Sequence, residues 1–538
     1  MLLACGQSGK EAALRSFIDE HANKIKPLQK EAALAYWQAA CTGDTAQYSR
    51  FAELNLKIRN MYTDHVAYEF LQEIKKSGAV HDPLLDRQLD LLLNAYKENQ
   101  IDAELLKKMV DLAARVEQKF STFRGRIAGA IVTNNQIDEI LKKELNSSKR
   151  RTAWEASKQV GPEVAADLVQ LVGLRNQAAK RLGFDNYHQM SLQLAEQSEE
   201  EVETIFNELY TLSQEPFMTV KKELDGVLAK SYSIKPTELM PWHYQDPFFQ
   251  EAPAMGELDW DAYYKNYDVK QLASSYFAGI GMDVEPILAN SDLYEKPGKN
   301  PHAFSTDIDR EGDVRILCNL QNNERWMETT LHELGHAVYD RYHDAALPYL
   351  LRQPAHAFTT EGIAMFFGRF SRNADWMQAM LKLSEADYKK ISSYAKTSMR
   401  AKQLVFARWA MVMYFFEKEL YRQPDQDLNG LWWQLVQKYQ GVNPPPDRQA
   451  SDWAAKIHFT IAPCYYHNYL LGELFASQLY ATVSKGVPVA AIGNTALGET
   501  LKKSVFSVGT RYRWNEMIKA ATGEPLTAKY FVQQFVAQ

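Results

Sequence analysis

Four cysteines in 538 residues (Cys5, Cys41, Cys318 and Cys464) leave no material for a disulfide framework, and none of them pair at metal-ligand spacing. Glycine (26) and proline (20) are sparse for this length, so turn-free stretches are long, which favours helices. No apolar run approaches the ~18 residues of a membrane span. The 61 lysines and arginines are scattered among 67 acidic residues, and a net charge of −6 offers nothing to nucleic acid. Fixed-period repeats and low-complexity segments are missing too, which argues against a repeat array. What is present is 46% hydrophobic residues, enough for a sizeable core.

The first residues, MLLAC, read like a bacterial lipobox, with Leu2, Leu3 and Ala4 before the cysteine, but without the charged and apolar segments of a signal peptide. One expectation is that residues 1–10 are the tail of a lipoprotein, anchored through Cys5 in the cell envelope or periplasm. The other is an ordinary Cys5 in a cytoplasmic protein. Residues 11–538 are expected to form a single, mainly helical domain. From about Glu11 to Val220 the chain reads as consecutive amphipathic helices, such as EAALAYWQAA and AELLKKMVDLAARVEQKF. Breaks are expected at Cys41–Asp44, Ser77–Pro83, Asn146–Ser148 and Gly161–Pro162. After Lys230 comes a long aromatic loop with Pro236, Pro241, Pro247 and Pro253, and Gln245 inside it; such loops often line sites. The stretch HAFSTDIDREGDVRILCNL holds a turn signal between two short apolar runs and predicts a small hairpin. Such a strand can take an extended peptide backbone as an added edge. Ala401–Tyr421 predicts another apolar helix, and the C-terminal part is helical with breaks near Gly486 and Gly523.

Between these lies LHELGHAVYD, Leu331–Asp340. It places His332 and His336 four apart, on one face of a helix, with Glu333 leaning towards the same side. Met327, Leu331, Leu334, Ala337 and Val338 recur at helical spacing around them. Two core histidines would look the same, so a third ligand matters: catalytic zinc takes three protein ligands and keeps one position open. Glu361, in TTEGIAMFFGRF, is the candidate. Pro348 and Pro354 break the chain before it, so a second helix can return beside the first, with Met365, Phe366 and Phe370 packing inward. A carboxylate on so apolar a helix is costly unless paired or bound to metal. The set predicts one Zn²⁺ per chain, with Glu333 as general base.

Taken together, KNPHAFSTDI, LHELGHAVYD, LPYLLRQPAHAFTTEGIA, WWQLVQKYQGVNPP and AAKIHF with YHNYLLGELFASQ resemble the angiotensin-converting-enzyme family of peptidyl-dipeptidases, as a divergent bacterial-type member. The resemblance spans about Lys299 to Gln478. It implies an all-α, two-lobed ellipsoid with a deep central cleft, N-terminal helices covering it, and a small β-hairpin beside the zinc helix. It implies Zn²⁺ on His332, His336 and Glu361, and His458 and Tyr469 as hydrogen-bond donors to the transition state. Tyr469 fits after one extra residue is allowed behind His458. Lys456, Tyr466 and Gln245 are implied as the pocket for the substrate's C-terminal carboxylate, and His302 and Ala303 as part of the backbone-binding strand. Two departures stand out. The aspartate that the family carries four residues after the third ligand is Met365 here, which leaves a partner for His332 unidentified. The family's chloride-binding arginines match Val436 and Asn468, so the resemblance lends chloride no support. The reading is a zinc peptidyl-dipeptidase acting on short peptides, as a monomer or weak dimer. The alternatives are a thimet-type oligopeptidase, which shares the motifs, and a non-catalytic helical peptide-binding scaffold. A scaffold has no need of Glu333.

Overall fold

The computed structural model describes residues 2–253, 258–446, 448–484 and 493–536, with side chains from residue 9 onward. The Cys5 side chain and Gly486 therefore lie outside what is described. The protein is mainly helical, as expected, and its described residues form two two-stranded antiparallel sheets. Among the described residues no helix is long and apolar enough to cross a membrane. Cys41, Cys318 and Cys464 are buried and unbridged.

The elements that matter here are, in chain order, α1 (Leu2–Thr42), β1 (Gly125–Ile127), β2 (Ala130–Val132), α2 (Val160–Arg181), α3 (Glu199–Tyr232), β3 (Phe304–Asp307), β4 (Val314–Leu317), α4 (Glu324–Arg341), α5 (Ala357–Gly368), α6 (Glu385–Arg422) and α7 (His467–Val483). The chain divides into two compact units. The first comprises Met1–Gln100, Leu258–Ala395 and Gly472–Thr527, and the second Ile101–Glu257, Lys396–Leu471 and Ala528–Gln538.

In the first unit, α1 and the next helix, Thr45–Met61, are separated at Gly43 and Asp44, where the sequence predicts a break. Asp44 caps the new helix by accepting the Ala46 N–H, which satisfies one of the amides every helix start leaves open. The predicted hairpin is present: Phe304 pairs with Leu317 and Asp307 with Val314. Its turn contains Arg310 and Gly312, both at positive φ. Asn323 caps α4 by accepting the Trp326 N–H. Met327, Leu331, Leu334, Ala337 and Val338 are fully buried, as their helical spacing predicts. Helices α4 and α5 approach closely at Gly335, where a Cβ would stand 2.8 Å from the Ala364 Cα. Only glycine permits that spacing. The predicted break at Gly523 is the left-handed cap of the helix Trp514–Thr522.

In the second unit two expectations are corrected. The stretch read as helices alone contains the β1–β2 hairpin, turned by Ala128 and Gly129, both at positive φ. A two-residue turn of that hand matches the twist of paired strands, and it is too short to interrupt a helical stripe visibly. The break placed at Gly161–Pro162 lies at Gln159 instead, and both residues belong to the first turn of α2. Proline is tolerated there because the first-turn amides have no partner within the helix. Gly161 serves contact rather than termination, since a Cβ would sit 2.2 Å from the Ser451 carbonyl oxygen. The helix expected over Ala401–Tyr421 is the later part of the longer α6. Among its described residues, the proline-rich segment after α3 holds two short 3₁₀ turns, Pro236–Glu238 and Pro241–His243, and is otherwise a loop.

Candidate active site

Within the first unit, His332 and His336 project from α4 towards Glu361 on α5. The His332 Nε2 lies 3.7 Å from one Glu361 carboxylate oxygen and the His336 Nε2 3.7 Å from the other. The three donor atoms are all within 4.8 Å of one another. Around a zinc ion with arms of ~2.0–2.1 Å, tetrahedral donors stand about 3.3 Å apart, so a small inward movement closes this set. The Nδ1 of His336 is 2.7 Å from the Thr360 hydroxyl. That contact turns Nε2 towards Glu361, the way outer partners fix a ligand's tautomer. Thr360 escaped the sequence reading, because its proximity to His336 depends on how α5 returns beside α4.

Burial dominates the electrostatics. It holds His332 below its usual pKa and His336 down to about 3, so both imidazoles are neutral with lone pairs to offer. It pushes Glu361 up. Glu333 rises to about 8, through burial first and the neighbouring Glu361 second. Two carboxyls in one apolar place, beside two neutral imidazoles, are short of positive charge. A divalent cation would supply it and lower both carboxyls again. Glu333 also accepts the Ser305 N–H from β3, which ties the hairpin to the helix. His302 and Ala303 lie immediately ahead of β3, outside the paired residues.

The missing family aspartate has a structural counterpart of another kind. Met365 packs with its Sδ 3.4 Å from where a Gly472 Cβ would be. One helical turn on, Arg369 pairs with Glu473, and both side chains are largely buried. The Glu473 charge is close enough to act on His332 and Glu361.

The second unit gathers His458, Tyr466, Tyr469, Lys456 and Gln245. Arg175, buried on α2, donates to the carbonyl oxygens of Phe459 (2.8 Å) and Thr460 (2.7 Å) and to the Tyr421 hydroxyl (2.9 Å), which pins the short turn that starts at His458. Ring centroids of His458 and Tyr466 are 5.1 Å apart, and those of Tyr466 and Tyr469 5.4 Å. The Trp409 indole donates to the Tyr466 hydroxyl at 2.7 Å. Burial lowers His458 to about 4, helped by Lys456, so the ring is neutral near pH 7. A cavity of about 320 Å³ is lined by Gln245, Lys456 and His458 together with Gln250, Asp246 and Glu251. The Lys456 ammonium donates to the Gln250 side-chain oxygen at 2.6 Å, and burial lowers it to about 8. Gln250 is a neighbour the sequence gave no means of finding. At the positions matching chloride-binding arginines, Val436 is core, and Asn468 accepts from Gln197, which in turn contacts His467 at 2.8 Å.

The family model for the angiotensin-converting-enzyme peptidases, peptidase M2, matches residues 8–536. Carboxypeptidase 1 of Bacillus subtilis is 28% identical over 260 residues, which cover 43% of this chain and 51% of that protein. The thermostable carboxypeptidase 1 of Pyrococcus furiosus is 22% identical over 262 residues, again covering 43% and 51%. The chain thus spans about half the length of these carboxypeptidases. The angiotensin-converting enzyme of Haematobia irritans exigua is 22% identical over 545 residues, 91% of this chain and 88% of that protein. With nearly the whole sequence inside the family model, this chain belongs to the angiotensin-converting-enzyme family.

Proposed function

We propose that this chain is a zinc-dependent peptidyl-dipeptidase, releasing dipeptides from the C-termini of short peptides. The observation that carries the reading is the convergence of two neutral imidazoles and a carboxylate, with a second carboxyl, Glu333, on the same helix. His332, His336 and Glu361 would hold the zinc. When bound, zinc supplies Lewis acidity, which makes water a nucleophile at neutral pH and polarises the peptide carbonyl. Glu333, anchored by the Ser305 N–H, takes the proton from water and delivers it to the departing amine. The neutral His458 and the Tyr469 hydroxyl are assigned, by the resemblance, as donors to the developing oxyanion. Each such donor is worth about 3–4 kcal/mol when preorganised. Lys456, with Tyr466 and Gln245, takes the substrate's terminal carboxylate. An ammonium held in a largely buried cavity gains most from a partner of opposite charge. His302 and Ala303 take the substrate backbone beside β3.

The carboxypeptidase relatives favour a second reading, removal of one residue at a time. Mass spectrometry of the products separates the readings. The proposal expects dipeptides, cut much faster from free-acid peptides than from their amides, with that preference shrinking in Lys456→Ala. Single amino acids would decide for the carboxypeptidase reading. Internal cuts indifferent to amidation would point to an oligopeptidase. A protein that binds no stoichiometric metal and cleaves nothing would be a scaffold.

A further inference from the structure

The helix that carries His332 and His336 continues into a second set of donors. Asp340 follows His336 by four residues, on the same face of α4, and His343 lies just past the helix end. Asp307, the last residue of β3, completes the group: one donor atom from each of the three lies within 4.8 Å of the others. The Oδ1 of Asp307 accepts the N–H groups of Asp309 (3.2 Å) and Arg310 (2.8 Å) and closes the hairpin turn, leaving Oδ2 uncommitted. Both ring nitrogens of His343 are sealed from solvent and have no hydrogen-bond partner among the described residues. Buried polar atoms are nearly always paired, so two orphaned nitrogens on one ring point to a ligand. Burial also pushes Asp340 well above the carboxylate range, with Asp307 adding to the rise, and pushes Asp307 up to about 6 against the backbone N–H groups that lower it.

We propose that Asp307, Asp340 and His343 form a second cation site, distinct from the His332, His336 and Glu361 group, for a divalent metal of the zinc–manganese class. Imidazole favours zinc and its neighbours, carboxylates accept zinc or manganese, and calcium or magnesium would want an all-oxygen set. Two carboxylates balance a dication, and the cation gives the His343 lone pair a partner. The competing counter-charge is Arg310, whose guanidinium stands 5.2 Å over the Tyr349 ring and whose charge reaches both Asp340 and His343. A metal here ties the β3–β4 turn to the end of α4. It thereby steadies β3, whose Ser305 meets Glu333.

The test uses the full chain, stripped with chelator, re-equilibrated with excess Zn²⁺, desalted and measured by elemental analysis. Two equivalents are expected in the wild type, and one in Asp340→Asn, in His343→Gln and in His336→Gln. A single wild-type equivalent that His336→Gln removes overturns the second site, leaves Arg310 as the counter-charge, and spares the peptidase reading. A single equivalent that only Asp340→Asn removes supports this site and sinks the zinc role of the first. Two equivalents retained in both Asp340→Asn and His343→Gln also overturn it. Should either variant fail to fold, the double variant His332→Gln, His336→Gln provides another route. Added Zn²⁺ should raise its Tm, and the absence of a rise overturns the proposal.

Discussion

The metal-donor group of the first unit and the His458 group of the second are built by different means and lack opposite charges. The first stands on two regular helices whose spacing is set by backbone contact at Gly335, and its donors come from positions four apart plus one neighbour. It buries two carboxyls beside neutral imidazoles and so seeks a cation. The second stands on a short turn, the first turn of α7 and aromatic packing, held from behind by Arg175. It buries Lys456 beside a neutral His458 and so seeks an anion, although Asp246 and Glu251 in the same cavity partly offset the lysine. A metal set tolerates little error in distance, which suits paired helices. Hydrogen-bond donors on separate segments joined by a turn absorb an extra residue, and the resemblance implies one between His458 and Tyr469.

The comparison can be broken or sharpened by substitution. Glu333→Gln should lower kcat by ~10⁴ while metal content by elemental analysis stays at the wild-type value, because the base is lost and the ligands are not. Tyr469→Phe should lower kcat by ~10²–10³ with KM little changed. If it costs as much as Glu333→Gln, the proposed division between base and oxyanion donor collapses; normal kcat would pass the role to Tyr466 or Tyr465.

A smaller effect asks whether the two units share one weakness to acid. His21 in the first and His243 in the second are buried and held down to about 4 from 6.5, chiefly by desolvation. The unfolded chain therefore binds more protons between those values, so stability is complete above pH ~6.5 and falls as pH drops towards ~4. The shift corresponds to about 3 kcal/mol per histidine. The Nδ1 of His243 accepts the Met240 N–H at 2.8 Å, a contact that His243→Asn can keep through Oδ1. Denaturant melts from pH 7 to 4.5 should show a shallower loss in that variant, and an unchanged slope would remove His243 from the account. The smallest effect is Thr360→Val, expected to weaken zinc binding 10–100-fold in a competition titration by releasing the His336 ring. Unaltered affinity would show that helix geometry alone orients the ligand.

Much of this was legible in the residues. The 3.6-residue period of Met327, Leu331, Leu334 and Val338 fixed a buried helix, and the spacing of His332 and His336 fixed their shared face, since both are local consequences of helix geometry. The turn signal DREGD located the β3–β4 hairpin for the same reason. The break misplaced at Gly161 and the unnoticed Ala128–Gly129 turn show the limit: a glycine that ends a helix and one that admits a neighbour's backbone read alike. Contacts between distant parts of the chain were decided only by tertiary packing. Thr360 beside His336, Gln250 beside Lys456, Arg175 behind His458 and Asp307 beside Asp340 and His343 all depend on which segments return against which. Burial, and with it the depressed histidines and raised carboxyls, is likewise a property of the packed chain, because desolvation depends on everything that surrounds a group and not on its neighbours in sequence.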